Sequence, residues 1–319
     1  MKHFVKIIFK SLGQVLSLLI QNKYFFRFYN YIFEHSPHIL VRYFVKFVDL
    51  PLKSNVWKIN LVNGKSISTK ILIEDNKTSE FALSYQWHSP SLNFTENLLN
   101  QYYPMEIPWI DVGSNLGIRS LLSLSEKRLV YFVEPNSEVN KLNIDRCLLN
   151  GFKNYTLFEV GASDQTGTIE FTIDKTSYNS SINSNLVEQD SVDHKEIIQI
   201  DTLDHLFSKI AGNYTTACIK IDVEGHELNV LEGSKNIISK YSPCFIIEVN
   251  QKGQHFSKFI QYFTDLNYQI FEIGEFKRNR YYKRVRTNHE YNDSEIQFND
   301  FFAIKDNELL KVVGKYVVS

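Results

Sequence analysis

The chain has 319 residues, 35 Lys and Arg against 36 Asp and Glu, a net charge of −1 and an aromatic fraction of 14%. That length suits one large α/β domain with appendages, and the balanced charge argues against nucleic acid as the main partner, because phosphate binding takes a clear basic excess. The three cysteines, Cys147, Cys218 and Cys244, form no C-x-x-C pair and sit in apolar runs, which reads as buried free thiols of a reducing, cytoplasmic compartment.

Residues 1–54 form a first unit of basic and aromatic character. Lys2, Lys6 and Lys10 fall on one helical face, with Phe4, Val5, Ile7, Ile8, Phe9 and Leu12 filling much of the rest. Lys23, Arg27, Arg42 and Lys46 follow, opposed only by Glu34 and Asp49. The longest uncharged run, Ser11 to Asn22, is too short to cross a bilayer, and Lys6 and Lys10 interrupt the apolar stretch a signal peptide needs. Two readings stand. One is a helical cover packed on the core or on a second subunit of a homo-oligomer. The other is a basic amphipathic segment, residues 1–48, lying peripherally on an anionic inner membrane surface.

Residues 55–90 read as a small β appendage, with strands at Val56–Val62 and Lys70–Ile73 around an Asn63-Gly64 turn. The main domain occupies 91–319. Its first helix is expected over Thr95–Tyr103, with Thr95 as N-cap. An apolar strand, Ile107 to Val112, then meets Gly113 and Gly117, which let the backbone turn into a helix over Ile118–Leu124. A dinucleotide loop would have glycine where this chain has Asp111. An anion there repels a pyrophosphate, which counts against a nicotinamide dehydrogenase. It suits a cationic ligand such as S-adenosylmethionine, which carries a sulfonium and an ammonium.

Leu129 to Val133 is a second strand, closed by Glu134 and Pro135. Glu134 follows the glycine turn by about 20 residues, the offset at which a βαβ unit offers a carboxylate to ribose hydroxyls. Phe171 to Lys195 is polar and irregular, with Ser177, Asn179, Ser180, Ser181, Asn183, Ser184 and Asn185; it reads either as a surface loop or as a lid over the site. Thr216 to Val223 is a strand with Ile219, Ile221 and Val223 on one face and Lys220, Asp222 and Glu224 on the other, so its carboxyl end enters a cleft. Gly225 breaks it, a short helix spans His226–Gly233, and Pro243 to Asn250 repeats the design with Glu248 and Asn250 at a strand end. Lys277 to Arg286 is basic and aromatic, an exposed hairpin or a segment that recognises an anionic group. Asn299 to Lys305 is the expected final strand.

The segments IDVGSNLGIRS, VYFVEPN, EVGASDQTGTIEF, IDTLDHL, IKIDVEGHELNVLEGS and FIIEVN, in that order between Ile107 and Asn250, resemble the FkbM family of S-adenosylmethionine-dependent methyltransferases. The resemblance implies a class I methyltransferase (Rossmann-like) fold, a seven-stranded doubly wound sheet whose last strand is antiparallel. It also implies O-methylation, often of sugars or polyketide hydroxyls, and so a sugar, glycan, or nucleotide- or lipid-linked sugar as substrate in polysaccharide biosynthesis. On this reading Asp111, Gly113, Ser114, Asn115 and Gly117 wrap the methionine part and sulfonium. Glu134 holds the ribose with Asn136 near the adenine, and the resemblance puts Ala162, Ser163 and Asp164 beside the adenine ring.

An aliphatic hydroxyl is a weak nucleophile, so a base should take its proton as the bond to carbon forms. Asp222, Glu224, His226, Glu248 and His255 are the candidates, with Glu224 first because it lies nearest the turn. Asp222 has a salt bridge to Lys220 as its plainer role. No metal is assigned, although Asp222, Glu224 and Glu248 offer the hard oxygen ligands that Mg²⁺ takes. Two rival functions stand beside this one: an RNA ribose methyltransferase using Lys220 and Asp222, against which the balanced charge counts, and a non-catalytic membrane scaffold on a retained fold.

Overall fold

The computed structural model describes residues 56–61, 63, 65–70, 90–174, 180–183, 187, 189–210, 212–250, 253–277, 280–285 and 296–318. The readings made of residues 1–54 fall outside this set. In the appendage, β1 (Val56–Asn60) pairs antiparallel with β2 (Ser66–Lys70), Ile59 opposite Ile67. The second strand therefore starts four residues earlier than the expected Lys70. Ile67 is buried there, and the Leu61 amide bonds the Lys65 carbonyl at 2.8 Å, closing the loop between the strands.

Helix α1 (Pro90–Tyr102) opens the main domain. It starts at Pro90, whose fixed φ and missing N–H suit a first helical turn, and not at Thr95. Thr95 is fully buried inside the helix and bonds the Ser91 carbonyl at 2.8 Å and the Tyr282 hydroxyl at 3.0 Å. Strand β3 (Trp109–Val112) leads through the glycine loop into a 3₁₀ turn at Ile118–Ser120 and helix α2 (Leu121–Ser125). Then come β4 (Val130–Val133), α3 (Ser137–Asn150) and β5 (Tyr155–Phe158). The Asn136 side chain caps α3 by accepting from the Glu138 amide, and Gly151 ends it in the left-handed conformation.

Strands β6 (Gly161–Ala162), β7 (Gly167–Asp174) and β8 (Val192–Asp201) form a separate sheet in the order β6-β8-β7. Both ends of the stretch expected to be an irregular loop from Phe171 to Lys195 are thus strand, because Phe171 and Ile173 are buried against Ile198 and Ile200. The chain continues through α4 (Leu203–Ser208), β9 (Cys218–Ile221), α5 (Glu227–Glu232), α6 (Lys235–Tyr241), β10 (Cys244–Glu248) and α7 (Gln254–Asp265). It closes with β11 (Gln269–Lys277), β12 (Arg280–Arg284), β13 (Asp300–Ile304) and α8 (Asn307–Gly314).

The main sheet runs β12-β11-β13-β10-β9-β3-β4-β5. From β10 to β5 all pairs are parallel, and β13 inserts antiparallel between β10 and β11. Seven strands were expected, and among the described residues this sheet has eight, the extra one being β12, an antiparallel edge on β11. The basic segment supplies that edge because Tyr282 points inward and is fully buried while Arg280 and Arg284 stay exposed. Residues 278, 279 and 286 of the segment lie outside the described set.

Strands β3, β4 and β9 are buried along their whole length, as central parallel strands covered on both faces must be. One face packs against α1, α2, α3 and α8 through Leu98, Leu99, Leu122, Val139 and Leu309. The other packs against α4, α5, α6 and α7 through Leu206, Val230, Leu231, Ile237 and Phe259. From β3 the chain winds outward to β4 and β5, then crosses to β9 and β10 on the opposite side. The crevice at the carboxyl ends of β3 and β9 is therefore the topological switch point, where such sheets bind ligands. Among the described residues no helix is long and apolar enough to cross a membrane.

Candidate active site

A cleft opens at this switch point, the place where sheets of this kind take their ligands. Gly113, Asn115, Glu134 and Asn136 line it from the β3 and β4 ends, Gly161 and Ala162 from β6, and Asp222, Val223 and Glu224 from the end of β9. Phe171, Ser180 and Ile182 complete the wall from the smaller sheet and the turn beyond it.

The glycine loop is fixed by close packing. Gly113 has φ +68°, and a Cβ there would lie 1.8 Å from the Asp222 carbonyl oxygen, so the β3 and β9 ends touch backbone to backbone. The Asn143 side-chain amide donates to the Asn115 carbonyl at 2.6 Å, and Arg146 donates to the Leu116 carbonyl, so α3 holds the loop from beneath. Glu134 accepts the Asn115 amide at 2.8 Å with one oxygen and the Asn136 amide at 2.9 Å with the other. Burial pushes its carboxyl up to about 7, against the pull of those two amides.

Asp111 lies under the cleft and not on its surface. It is fully buried, with Oδ2 accepting from Ser120 Oγ at 2.6 Å and Oδ1 3.6 Å from Lys220 Nζ. Lys220 donates to Asp222 Oδ2 at 3.0 Å, as the salt-bridge reading of Asp222 expected. Burial opposes the Lys220 charge, but Asp222 and Asp111 outweigh it and hold the ammonium well above its ordinary range. Ser114 is buried, with a hydroxyl that has no hydrogen-bond partner among the described residues. Gly117 faces α3, where a Cβ would meet Asn143 Oδ1 at 2.6 Å.

The alternation expected along β9 stops at Ile221, so Asp222, Val223 and Glu224 all reach the cleft. The cause is a sharp turn, with Glu224 at φ +48° and Gly225 at φ +93°. A non-glycine residue in that region costs roughly 1 kcal/mol or more, and such strain gathers at functional sites. Burial, then Asp222, push the Glu224 carboxyl up to about 7. The Asn250 amide reaches Glu224 Oε2 and Glu248 Oε1, both at 3.2 Å. Glu248 sits outside the cleft lining, opposite Asp300 across β10 and β13, and its carboxyl is pushed up to about 9, first by Asp222 and then by burial.

His226 is not among the residues lining the cleft; its Nε2 is 2.9 Å from Ser163 Oγ, and burial lowers its pKa. Ser163 also donates to Asp164 Oδ1 at 3.0 Å. Of the three residues after β5 expected near the adenine, Ala162 alone lines the cleft. His255 is 3.3 Å from Glu227 Oε2, away from the cleft lining. Among the described residues no cluster of His, Cys, Asp and Glu is arranged to hold a metal ion.

Three features of the site were not assigned residue by residue from the sequence, although the possible lid over 171–195 pointed toward two of them. Glu227, almost fully buried, accepts the Gly225 amide at 2.7 Å and so braces the turn. Its place in KIDVEGHE was the only pointer. Ser181 donates to the Glu224 carbonyl at 2.7 Å, a contact between residues 43 apart in sequence. Phe171 and Ile182 join the cleft only because the smaller sheet folds back over it.

A doubly wound sheet with an antiparallel strand between its last two, and a cleft at its switch point, defines the class I methyltransferase fold. The methyltransferase FkbM domain model matches residues 111–270, half of the chain, and the protein belongs to that family. Its cofactor is S-adenosylmethionine. Solved structures with similar folds include methyltransferase FkbM from Methylobacillus flagellatus KT, 16% identical with a TM-score of 0.40, covering 72% of this chain and 54% of that one. This chain thus spans about half the length of that protein. A rRNA methylase from Streptococcus thermophilus is 10% identical with a TM-score of 0.39, covering 67% of this chain and 95% of that one. The magnesium protoporphyrin IX methyltransferase of Synechocystis PCC 6803, solved with bound SAM, is 12% identical with a TM-score of 0.38, covering 72% and 83%. No curated protein matches the chain.

The residues fit this cofactor. Glu134 puts a buried carboxylate on the cleft wall, and the Ser114 hydroxyl, without a hydrogen-bond partner among the described residues, sits in the loop that would surround the amino-acid end.

Proposed function

We propose that the chain is an O-methyltransferase whose acceptor is a hydroxyl of a sugar or glycan, free or linked to a nucleotide or lipid, with Glu224 as the general base. The observation that carries this reading is the placement of Glu224, a carboxyl on a left-handed turn that lines the same cleft as Glu134 and Asn136, with burial pushing it up to about 7. A general base works best with a pKa near the operating pH.

When bound, S-adenosylmethionine supplies a methyl group on a sulfonium that departs as a neutral thioether. Glu134, Asn136, Gly113 and Asn115 would hold it by the ribose, the adenine and the amino-acid end. Ionised Glu224 accepts the acceptor hydroxyl's proton, and Asn250 steadies the carboxyl through Oε2. Asp222 stays paired to Lys220, so it orients and does not take the proton. Asp222 and Glu224 bring acceptor oxygens to one end of the cleft, which suits the hydroxyl donors of a sugar ring. Positioning does much of the rest, since in-line attack depends on holding oxygen, carbon and sulfur aligned.

The test is transfer of labelled methyl from S-adenosylmethionine to a panel of sugars, nucleotide sugars and lipid-linked glycans. Wild-type protein should label a hydroxyl of one member. Glu224→Gln should lose roughly 10²–10⁴-fold in turnover while binding S-adenosylhomocysteine as before. Label appearing on RNA or on nitrogen would overturn the acceptor class.

A further inference from the structure

We propose that Ser181 is a positioning residue for the general base: its hydroxyl, bonded to the Glu224 carbonyl at 2.7 Å, holds Glu224 in its left-handed turn. This rests on the assignment of Glu224 as base. Ser181 is fully buried and anchored to β7 by paired 3.0 Å backbone bonds with Thr172 in both directions. Its oxygen also accepts the Asn183 amide at 2.9 Å, so the hydroxyl proton is committed to Glu224. From the other side Glu227 accepts the Gly225 amide, and Glu227 is itself held beside His255. The peptide link between Glu224 and Gly225 is therefore gripped at its carbonyl and its amide by two different layers of the fold.

A φ of +48° on glutamate persists only where surroundings over-determine it. Without the Ser181 hydroxyl, the turn is free to relax and to carry the carboxyl away from its present neighbours. Those neighbours are Asp222 and Lys220 from the β9 end, Glu227 from α5 and Asn250 beyond β10. Ser180 and Ile182, on either side of Ser181, and Phe171, next to Thr172, all line the cleft. The grip on the base thus arises from the same piece of chain that walls the cofactor cleft, and part of the polar stretch after β7 works as a fixed strap.

The experiment titrates Glu224 in the full-length protein saturated with S-adenosylhomocysteine, using carboxyl ¹³C-labelled glutamate and NMR. The Glu224 signal is the resonance that disappears in Glu224→Gln. Ser181→Val removes the hydroxyl and Ser181→Thr keeps it on the same branched frame. The Glu224 midpoint should fall by roughly one pH unit toward the ordinary carboxylate range in Ser181→Val and stay near the wild-type value in Ser181→Thr, with S-adenosylhomocysteine affinity within twofold for both. Ser181→Ala, the milder change to the packing, should repeat the fall. Wild-type titration in Val and Ala variants overturns the proposal, as does an equal fall in the Thr variant. Wild-type methyl transfer by Glu224→Gln would remove the base assignment and leave the titration result standing.

Discussion

Glu134 and Glu224 are two carboxyls of one cleft, both pushed to about 7 by burial, and their partners assign them different work. Glu134 spends both oxygens on backbone amides, so it is a fixed acceptor suited to holding hydroxyls. Among the described residues Asn250 is the side chain that bonds the Glu224 carboxyl, which hangs from a strained turn and is placed to exchange a proton. The ionised form of Glu134 is the better acceptor for ribose hydroxyls. Affinity for S-adenosylhomocysteine should therefore tighten as pH rises toward about 7 and level off above it, by no more than about tenfold per pH unit. Calorimetric titration from pH 5.5 to 8.5 checks this, and Glu134→Gln should bind more weakly with a flat profile. Asp111 acts from beneath: Asp111→Ala should cost cofactor affinity through the loss of Ser120 and Lys220 contacts, along with some stability.

The glycine loop, at the scale of elements, is a place where two strands close on each other. Gly113→Ala should destabilise by more than about 2 kcal/mol in urea unfolding, because its Cβ would strike the Asp222 backbone. Gly151→Ala, at φ +66° with open space around it, should cost only about 1 kcal/mol. The elements that build the cleft were legible from sequence because buried parallel strands are apolar runs and their ends are marked by glycine, proline and acids, as at Val112-Gly113 and Val133-Glu134-Pro135. Strand β9 misled at one point: alternation placed Val223 away from Glu224, but alternation assumes extended backbone, and the chain turns there. Thr95 looked like a cap because it opens an apolar periodicity, whereas Pro90 starts the helix one turn earlier. The smaller sheet was hidden because its pairing partners stand far apart in sequence, Thr172 with Lys195, and the residues between them are polar. Strand β12 hid behind its charges, since only Tyr282 reveals an inward face.

Charge across the whole molecule is balanced, but the acids of the site are not evenly placed. Glu224, Glu248 and Asp300 have folded-state values raised to about 7, 9 and 6, with burial or Asp222 as the leading cause. A raised carboxyl favours folding while protonated, and that contribution is lost as pH climbs from the ordinary carboxylate range through the folded value. Asp201, by contrast, is lowered because bonds from His205, Thr166 and the Thr202 amide outweigh burial, and its contribution disappears only in acid. Tm should therefore decline between pH 6 and 9, and Glu248→Gln should flatten that decline; a scan of Tm against pH in both proteins decides it. The central claim is that the switch-point cleft is an S-adenosylmethionine site. It is tested most directly by thermal unfolding with S-adenosylhomocysteine beside NAD, for wild type and Glu134→Gln. At a hundred times its dissociation constant a single-site ligand stabilises the fold by about 2.7 kcal/mol. A rise in Tm with S-adenosylhomocysteine, absent with NAD and reduced in Glu134→Gln, is the predicted result; no rise, or an equal rise with NAD, would contradict it.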